Sequence, residues 1–341
     1  MSPARLDPAD LLQRLLRGRT GPLLHVHRVP GRSGAPVAWP DWVPEPLRTA
    51  LAGRGISQPW RHQVEVANRA RAGEHVVVCT PTASGKSLAY QLPVLSHLLQ
   101  HPRATALYLS PTKALAADQL RSAAGLALEG IHPSAYDGDT PAAERDWVRA
   151  HARLIYSNPD MLHRSILPRH DQWSSFLRRL SFVVIDEAHV YRGVFGSHVA
   201  QVIRRLRRVA ARYAAPGPVF LLASATAGHP GVSAARLTGL PVTAVTEDAS
   251  PQPGVTFGLW EPPLLPGTDA GDAVPIRRSA LMETADLLTD AVTNGVRTLA
   301  FVRSRRGAEA VATQARRGLR EAAPAIVRRV SGESSRSSMK R

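Results

Sequence analysis

Cysteine is nearly absent: the 341 residues contain one, Cys79. A single thiol excludes an internal disulfide framework and a cysteine-cluster metal site. In the apolar run Val76-Val77-Val78-Cys79 it is expected to pack as a small core residue. Long apolar stretches are missing too. None approaches the ~20 residues that span a bilayer. The N-terminus, with Asp7 and Asp10 and no apolar core before a small-residue cleavage site, does not resemble a signal peptide. The expectation is a soluble, cytoplasmic protein. Lysine is the third scarcity. Of 43 basic residues only Lys86, Lys113 and Lys340 are lysines. Arginine serves almost wherever a positive charge suffices, so a compact ammonium is a specific requirement where it does occur.

What is present is a chain long enough for two domains, with an ordinary 44% of hydrophobic residues and a formal net charge of +16. That charge points to a polyanionic partner, although an arginine excess also reflects genome composition. Part of it is local: residues 297–341 hold twelve basic residues against three acidic ones.

The pattern along the chain predicts an α/β fold. An amphipathic piece at 9–17 is followed by a Pro/Gly-rich arm over 18–46, read as a loop on the core or a disordered lead-in, and a short apolar segment at 47–51. Strands are expected over 76–79, 104–110, 133–136, 153–157, 181–185 and 219–223. Helices are expected over 63–72, 113–124, 141–150 and 196–213, and Leu88 to Leu95 also has helical spacing. Such alternation implies a parallel sheet covered by helices, with ligands at the C-terminal ends of the strands. Residues 247–275 read as a linker. Beyond it helices are expected over 281–291 and 308–319 with a strand over 297–302, and residues 331–341 form a polar tail unable to bury enough surface to fold.

Between the run Val76–Cys79 and the helical segment from Leu88 lies Thr80-Pro81-Thr82-Ala83-Ser84-Gly85-Lys86-Ser87. A tight loop at a helix N-terminus, with the helix dipole behind it, favours a triphosphate. Lys86 is placed to reach the β and γ phosphates and Ser87 to ligate Mg²⁺. Thr80 stands where the pattern has its first glycine. Gln63, about twenty residues upstream, has an amide suited to reading an adenine edge; a solvated helix position is the plainer alternative. Asp186 and Glu187 end another apolar strand, suited respectively to Mg²⁺ and to deprotonating the attacking water. A pair of helix-start carboxylates is the alternative there. His189, Ser224 and Thr226 are candidates for coupling. The arginines of the long helix, Arg204, Arg205, Arg207, Arg208 and Arg212, are read as a solvated face.

Taken in order these motifs resemble the N-terminal part of a superfamily 2 DEAD/DEAH-box helicase over residues 58–341. Motif I is Thr80–Ser87, Ia is Pro111-Thr112-Lys113-Ala114-Leu115, and Ib resembles Ser157-Asn158-Pro159-Asp160. Motif II is Asp186-Glu187-Ala188-His189, III is Ser224-Ala225-Thr226, and IV resembles Ala300-Phe301-Val302-Arg303-Ser304. The run from Asp186 to His198 is particularly similar to the bacterial MrfA/YprA-like DNA helicases. The resemblance implies two RecA-like domains gripping a single strand of nucleic acid, here DNA, with ATP and Mg²⁺ in the cleft. It suggests an arm over 1–55, a first RecA-like domain over 56–246, the linker, and an incomplete second domain over 276–330. Pro111, Thr112, Lys113, Gly138, Asp139, Ser157, Asn158, Pro159 and Asp160 sit at predicted strand ends, where they can hold phosphates without reading bases. No motif V, no Q-x-x-G-R-x-G-R-like motif VI and no cysteine-bearing C-terminal region are found, so a truncated product that binds ATP but hydrolyses it poorly is expected. A different P-loop ATPase and a nucleic-acid-binding remnant are the alternatives.

Overall fold

The structure, a computed structural model, describes residues 8–17, 19, 22–213, 217–265 and 276–322. In chain order the elements are α1 (Pro8–Leu16), β1 (Leu23–Val29), α2 (Glu45–Ala52), α3 (Arg61–Arg71), β2 (Val76–Cys79), α4 (Lys86–Gln100), β3 (Thr105–Leu109), α5 (Lys113–Ala124), β4 (Pro133–Ala135), α6 (Ala142–His151), β5 (Leu154–Ser157), α7 (Pro159–Met161), α8 (Ser174–Leu177), β6 (Leu180–Ile185), α9 (Gly193–Tyr213), β7 (Val219–Ser224), α10 (Pro230–Thr238), β8 (Thr243–Val245), β9 (Val255–Trp260), α11 (Ala280–Thr293) and α12 (Arg305–Ala322). They divide into two compact units, residues 32–252 and a unit drawn from 1–31 and 253–341. The tail from 331, residues 323–330 and residues 266–275 of the expected linker lie outside the described residues.

In the larger unit a seven-stranded sheet has the order β4-β5-β3-β6-β7-β2-β8, every pair parallel. Parallel strands need helical crossovers, which cover both faces. Alternate residues of each strand point to opposite faces, and the two cores divide accordingly. Val76, Val78, Tyr108, Tyr156 and Val184 join α2, α3, α4 and α5 on one side. Val77, Leu107, Leu109, Ile155 and Val183 join α6, α8, α9 and α10 on the other. The unit begins at Arg32, upstream of the expected boundary at 56, because Val43, Leu47 and Leu51 are core residues of the first face. It closes where the chain leaves it. Asp248, 5% exposed at its side chain, accepts from Arg32 Nη2 (2.6 Å), Gln252 Nε2 (2.8 Å) and the Ser250 N–H (2.9 Å).

The smaller unit holds two departures from the sequence reading. The arm read as a loop contains β1, which pairs antiparallel with β9 inside the expected linker, Val26 opposite Gly258. The expected strand over 297–302 is not formed. Its residues lie in coil with Leu299 and Phe301 76% and 88% exposed. A strand requires a neighbour to satisfy its backbone N–H and C=O groups, and no described residue pairs with it. The stretch resembling motif IV therefore enters α12 directly from coil. α11 packs on α12 through Ala285, Val311 and Ala315. Among the described residues no helix is long and apolar enough to cross a membrane.

Candidate functional site

β2 delivers the chain into the 80–85 loop, and α4 starts at Lys86. Gly85 takes a left-handed conformation at φ 77°, and a Cβ there would lie 2.5 Å from Gln63 Nε2, so glycine is required on two counts. Ala83 is also left-handed, φ 64°. Thr80 is fully buried with Oγ1 2.7 Å from Ser84 Oγ, which explains the missing first glycine: the hydroxyl braces the loop across its base. Lys86 Nζ donates to the carbonyls of Thr80 and Pro81, both at 2.9 Å. An ammonium has three donors, so one remains for a phosphate. No side chain caps the start of α4, which leaves its first-turn N–H groups available to an anion. Thr82, Ala83 and Gly85 are exposed, Ser84 is buried and Ser87 half-buried.

Gln63 is 2% exposed. Its Oε1 accepts from Trp60 N (2.8 Å) and its Nε2 donates to Gly85 O (2.9 Å). Each end of the amide makes one bond, which leaves one N–H and one lone pair, and the side chain ties α3 to the phosphate loop. Beside it His62 is buried with Nδ1 accepting from Ala249 N at 3.2 Å. Burial lowers its pKa, against the opposing charge of Asp248.

As β6 leaves the sheet, Asp186 N donates to Leu109 O (2.9 Å). Asp186 Oδ2 accepts from Tyr108 OH (2.5 Å) and Tyr90 OH (3.2 Å), and Oδ1 accepts from Glu187 N (2.8 Å). Burial holds both phenols above their usual pKa, and the adjacent Asp186 charge adds to it, so both remain donors. Glu187 sits at φ 49°, a left-handed conformation costing a non-glycine residue ~1–2 kcal/mol. Strain of this kind concentrates at functional positions. Two contacts converge on His189 Nδ1: Ala225 N at 3.1 Å and Glu187 Oε2 at 3.2 Å. They require opposite proton states. A bare Nδ1 accepts the Ala225 N–H and ties motif II to motif III, whereas a protonated Nδ1 donates to Glu187. Ala225 is held from its other side by Cys79 Sγ, 3.0 Å from its carbonyl. His189, Tyr191, Ser224 and Thr226 line a cleft of about 530 Å³.

The remaining candidates lie at the ends of β3, β4 and β5. Pro111 and Thr112 follow β3, and Thr112 Oγ1 caps α5 by accepting from Leu115 N (3.3 Å). Lys113 Nζ pairs with Asp139 Oδ1 at 2.7 Å, and that hydrogen bond raises the lysine pKa. A Cβ on Gly138 would lie 3.4 Å from the same Nζ, so Lys113, Gly138 and Asp139 form one exposed cluster. Asn158 caps α7 by accepting from Met161 N (2.9 Å), with Pro159 buried and Asp160 exposed. Ser157 is 1% exposed and donates to Tyr136 O at 2.6 Å, which leaves its hydroxyl no proton for a phosphate. The α9 arginines separate by role. Arg204 and Arg207 hold the last carbonyls around α10 (Arg236 O 2.8 Å, Thr238 O 3.0 Å, Gly239 O 2.9 Å), whereas Arg205 and Arg208 line a groove with Asp160, His163 and Phe195.

Sequence reasoning missed Tyr90 and Tyr108. The available signal was a polar tip inside apolar patterns: Tyr90 four residues after Lys86 on the core face of its helix, and Tyr108 within the run Leu107-Tyr108-Leu109.

Residues 60–233 match the DEAD/DEAH box helicase family. The chain is 41% identical over 282 residues to the ATP-dependent helicase YprA of Bacillus subtilis, covering 82% of this chain and 37% of that protein. It is 40% identical over 264 residues to the ATP-dependent helicase HRQ1 of Saccharomyces cerevisiae, covering 75% and 24%. The solved structure of the DUF1998 helicase MrfA bound to DNA and AMPPNP matches with a TM-score of 0.84 and 37% identity, over 92% of this chain and 43% of that one. The chain thus spans less than half the length of each of these relatives. It belongs to the DEAD/DEAH box helicase family and has the α/β, RecA-like architecture of those helicases.

Proposed function

We propose that this chain binds ATP with Mg²⁺ at the Thr80–Ser87 loop, holds a single strand of DNA across the ends of β3, β4 and β5, and forms the nucleotide-binding part of an ATP-dependent helicase. The observation that carries this reading is the Tyr90 to Asp186 contact at 3.2 Å. Tyr90 lies one turn beyond Lys86 and Ser87 on α4, so the helix that opens with the phosphate loop is fastened to the motif II carboxylate. That brings together a phosphate cradle, a hydroxyl, an acidic ligand and a general base.

Ser87 and Asp186 are the groups that would hold Mg²⁺, which usually takes one or two protein oxygens beside substrate phosphates and water. When bound, the ion neutralises phosphate charge. Lys86 turns its third donor to the phosphates, and Thr82, Ala83, Ser84 and Gly85 present the loop backbone. Glu187, held in its strained conformation, orients the water and accepts its proton. His189, Ser224 and Thr226 couple the change at the nucleotide to motion elsewhere in the helicase. Thr112, Lys113, Gly138, Asn158 and Asp160 surround the phosphodiester path. Lys113 exchanges Asp139 for a phosphate there, and backbone N–H groups at the start of α5 add to it. MrfA, bound to DNA in its solved structure, supports DNA as the polymer.

The test is fluorescence anisotropy of a labelled oligo(dT) with the full chain, with and without a non-hydrolysable ATP analogue and Mg²⁺. Wild type is expected to bind, and to bind more tightly with nucleotide. Lys113→Ala is expected to weaken binding for all sequences alike and to lower the salt slope by about 0.7, one single-strand phosphate contact. Absence of DNA binding by wild type, or an unchanged salt slope in Lys113→Ala, would contradict the reading.

A further inference from the structure

Two phenols beside Asp186 make three hydrogen-bond contacts with two protons between them. Tyr108 OH and Tyr90 OH both approach Asp186 Oδ2, and Tyr90 OH also lies 3.0 Å from Gln119 Oε1. A phenol carries one proton. Tyr108 gives its proton to Asp186, while Tyr90 can give its own to Asp186 or to Gln119, not to both. If Tyr90 serves Asp186, Gln119 must turn its amide N–H toward the phenol oxygen. If Gln119 presents its carbonyl, the proton goes there and Asp186 keeps a single phenol donor. The two arrangements differ by one amide rotation and one hydroxyl rotation.

The placement of these groups gives the choice a purpose. Tyr108 lies on β3 and Asp186 directly follows the neighbouring strand β6, at the seam between the strand ends assigned to nucleic acid and those assigned to nucleotide. Tyr90 is on α4, and Gln119 is half-buried on α5, the helix that begins at Lys113. The buried residues of α5 are Ala116 and Ala123 alone. Half-buried Leu120 also packs on the core, and a helix with so few buried apolar contacts shifts at lower cost than α4, which buries residues along most of its length.

We infer that Gln119 and Tyr90 form a two-state hydrogen-bond relay, by which a phosphodiester backbone engaged at the start of α5 changes the number of donors on Asp186, with Tyr108 as the fixed donor. Gln119 and Tyr90 are positioning residues, and the relay rests on the ATP and nucleic-acid reading above. Coupling of this kind is reciprocal: a strand that favours one relay state alters nucleotide affinity by the factor that nucleotide alters strand affinity.

The experiment measures the dissociation constant of a fluorescent, non-hydrolysable ATP analogue at fixed Mg²⁺, using the full chain with and without saturating oligo(dT). Wild type is expected to gain about fivefold or more in nucleotide affinity with the strand. Gln119→Leu is expected to bind nucleotide within about twofold of wild type without the strand, and to lose the gain. Tyr90→Phe keeps the ring in place and removes the proton. It is expected to lose the gain and to need more Mg²⁺ for half-maximal nucleotide binding. A gain in both variants equal to that of wild type would overturn the relay, and so would a wild type that binds nucleotide and strand without coupling. A wild type that binds no nucleotide would instead overturn the ATP reading beneath it.

Discussion

Residues 32–252 and the smaller unit are held together by different physics. The larger one has two apolar cores, one on each face of the sheet. In the smaller one the buried apolar cluster is Ala285, Val311 and Ala315, and beside it sits a carboxylate, Glu283, only 2% exposed. Glu283 accepts from Trp260 Nε1 (3.0 Å) and Arg278 Nη1 (2.9 Å) and lies 3.7 Å from Arg19 Nε. Arg278 also pairs with Asp286, and Arg19 with Asp290 at 2.7 Å. An apolar core loses stability roughly in proportion to what is removed. A buried ion network loses more than any one contact contributes, because the partners left behind stay desolvated and unpaired.

The comparison can be broken at its strongest point first. Trp173 is 1% exposed, edge-on to Tyr136 at 4.8 Å and to Phe176 at 5.8 Å. Trp173→Ala is expected to cost ~3–5 kcal/mol, measured as a fall in the urea midpoint of the larger unit. Hydrogen exchange of α11 and α12 should be unaffected. Glu283→Ala is expected to cost ~3 kcal/mol with the opposite distribution, faster exchange over 280–322 at an unchanged midpoint for the larger unit. If either substitution moved both units equally, the separation would be wrong.

A smaller effect sharpens the picture where the chain closes the larger unit. Burial tends to raise the Asp248 pKa, but hydrogen bonds from Ser250 and Arg32 outweigh it and the net shift is downward from 3.8. A carboxylate with a depressed folded pKa contributes stability above its unfolded value, and that contribution is lost as pH falls through the folded one. Asp248→Asn is therefore expected to cost ~1–2 kcal/mol at pH 6, with the gap to wild type closing below pH 4. Urea titrations at the two pH values check the sign.

Local patterning made much of the larger unit legible. Val76–Cys79 and Val183–Ile185 are short apolar runs ending in functional loops, and both appear as core strands. Non-local pairing was not legible: β1 and β9 are separated by more than two hundred residues, and no turn signal joins them. The error at 297–302 has the same origin, since β propensity reports a fit to a pleated surface that a neighbour must provide. Within the candidate site, Lys86, Ser87, Asp186 and Glu187 could be proposed from the sequence because their spacing is local. Tyr90 and Tyr108 could not, because separate elements bring them to Asp186. The partners of Gln63 and Ser157 were hidden for the same reason: the Gly85 carbonyl lies 22 residues from the first and the Tyr136 carbonyl 21 from the second.

The most direct measurement is calorimetric titration of ATP with Mg²⁺ into the full chain and into Lys86→Ala. Saturable binding by wild type at one site per chain, weakened by about tenfold or more in Lys86→Ala, is the expected result. No binding by wild type, or equal affinity in the two proteins, would contradict the assignment of the Thr80–Ser87 loop as the nucleotide site.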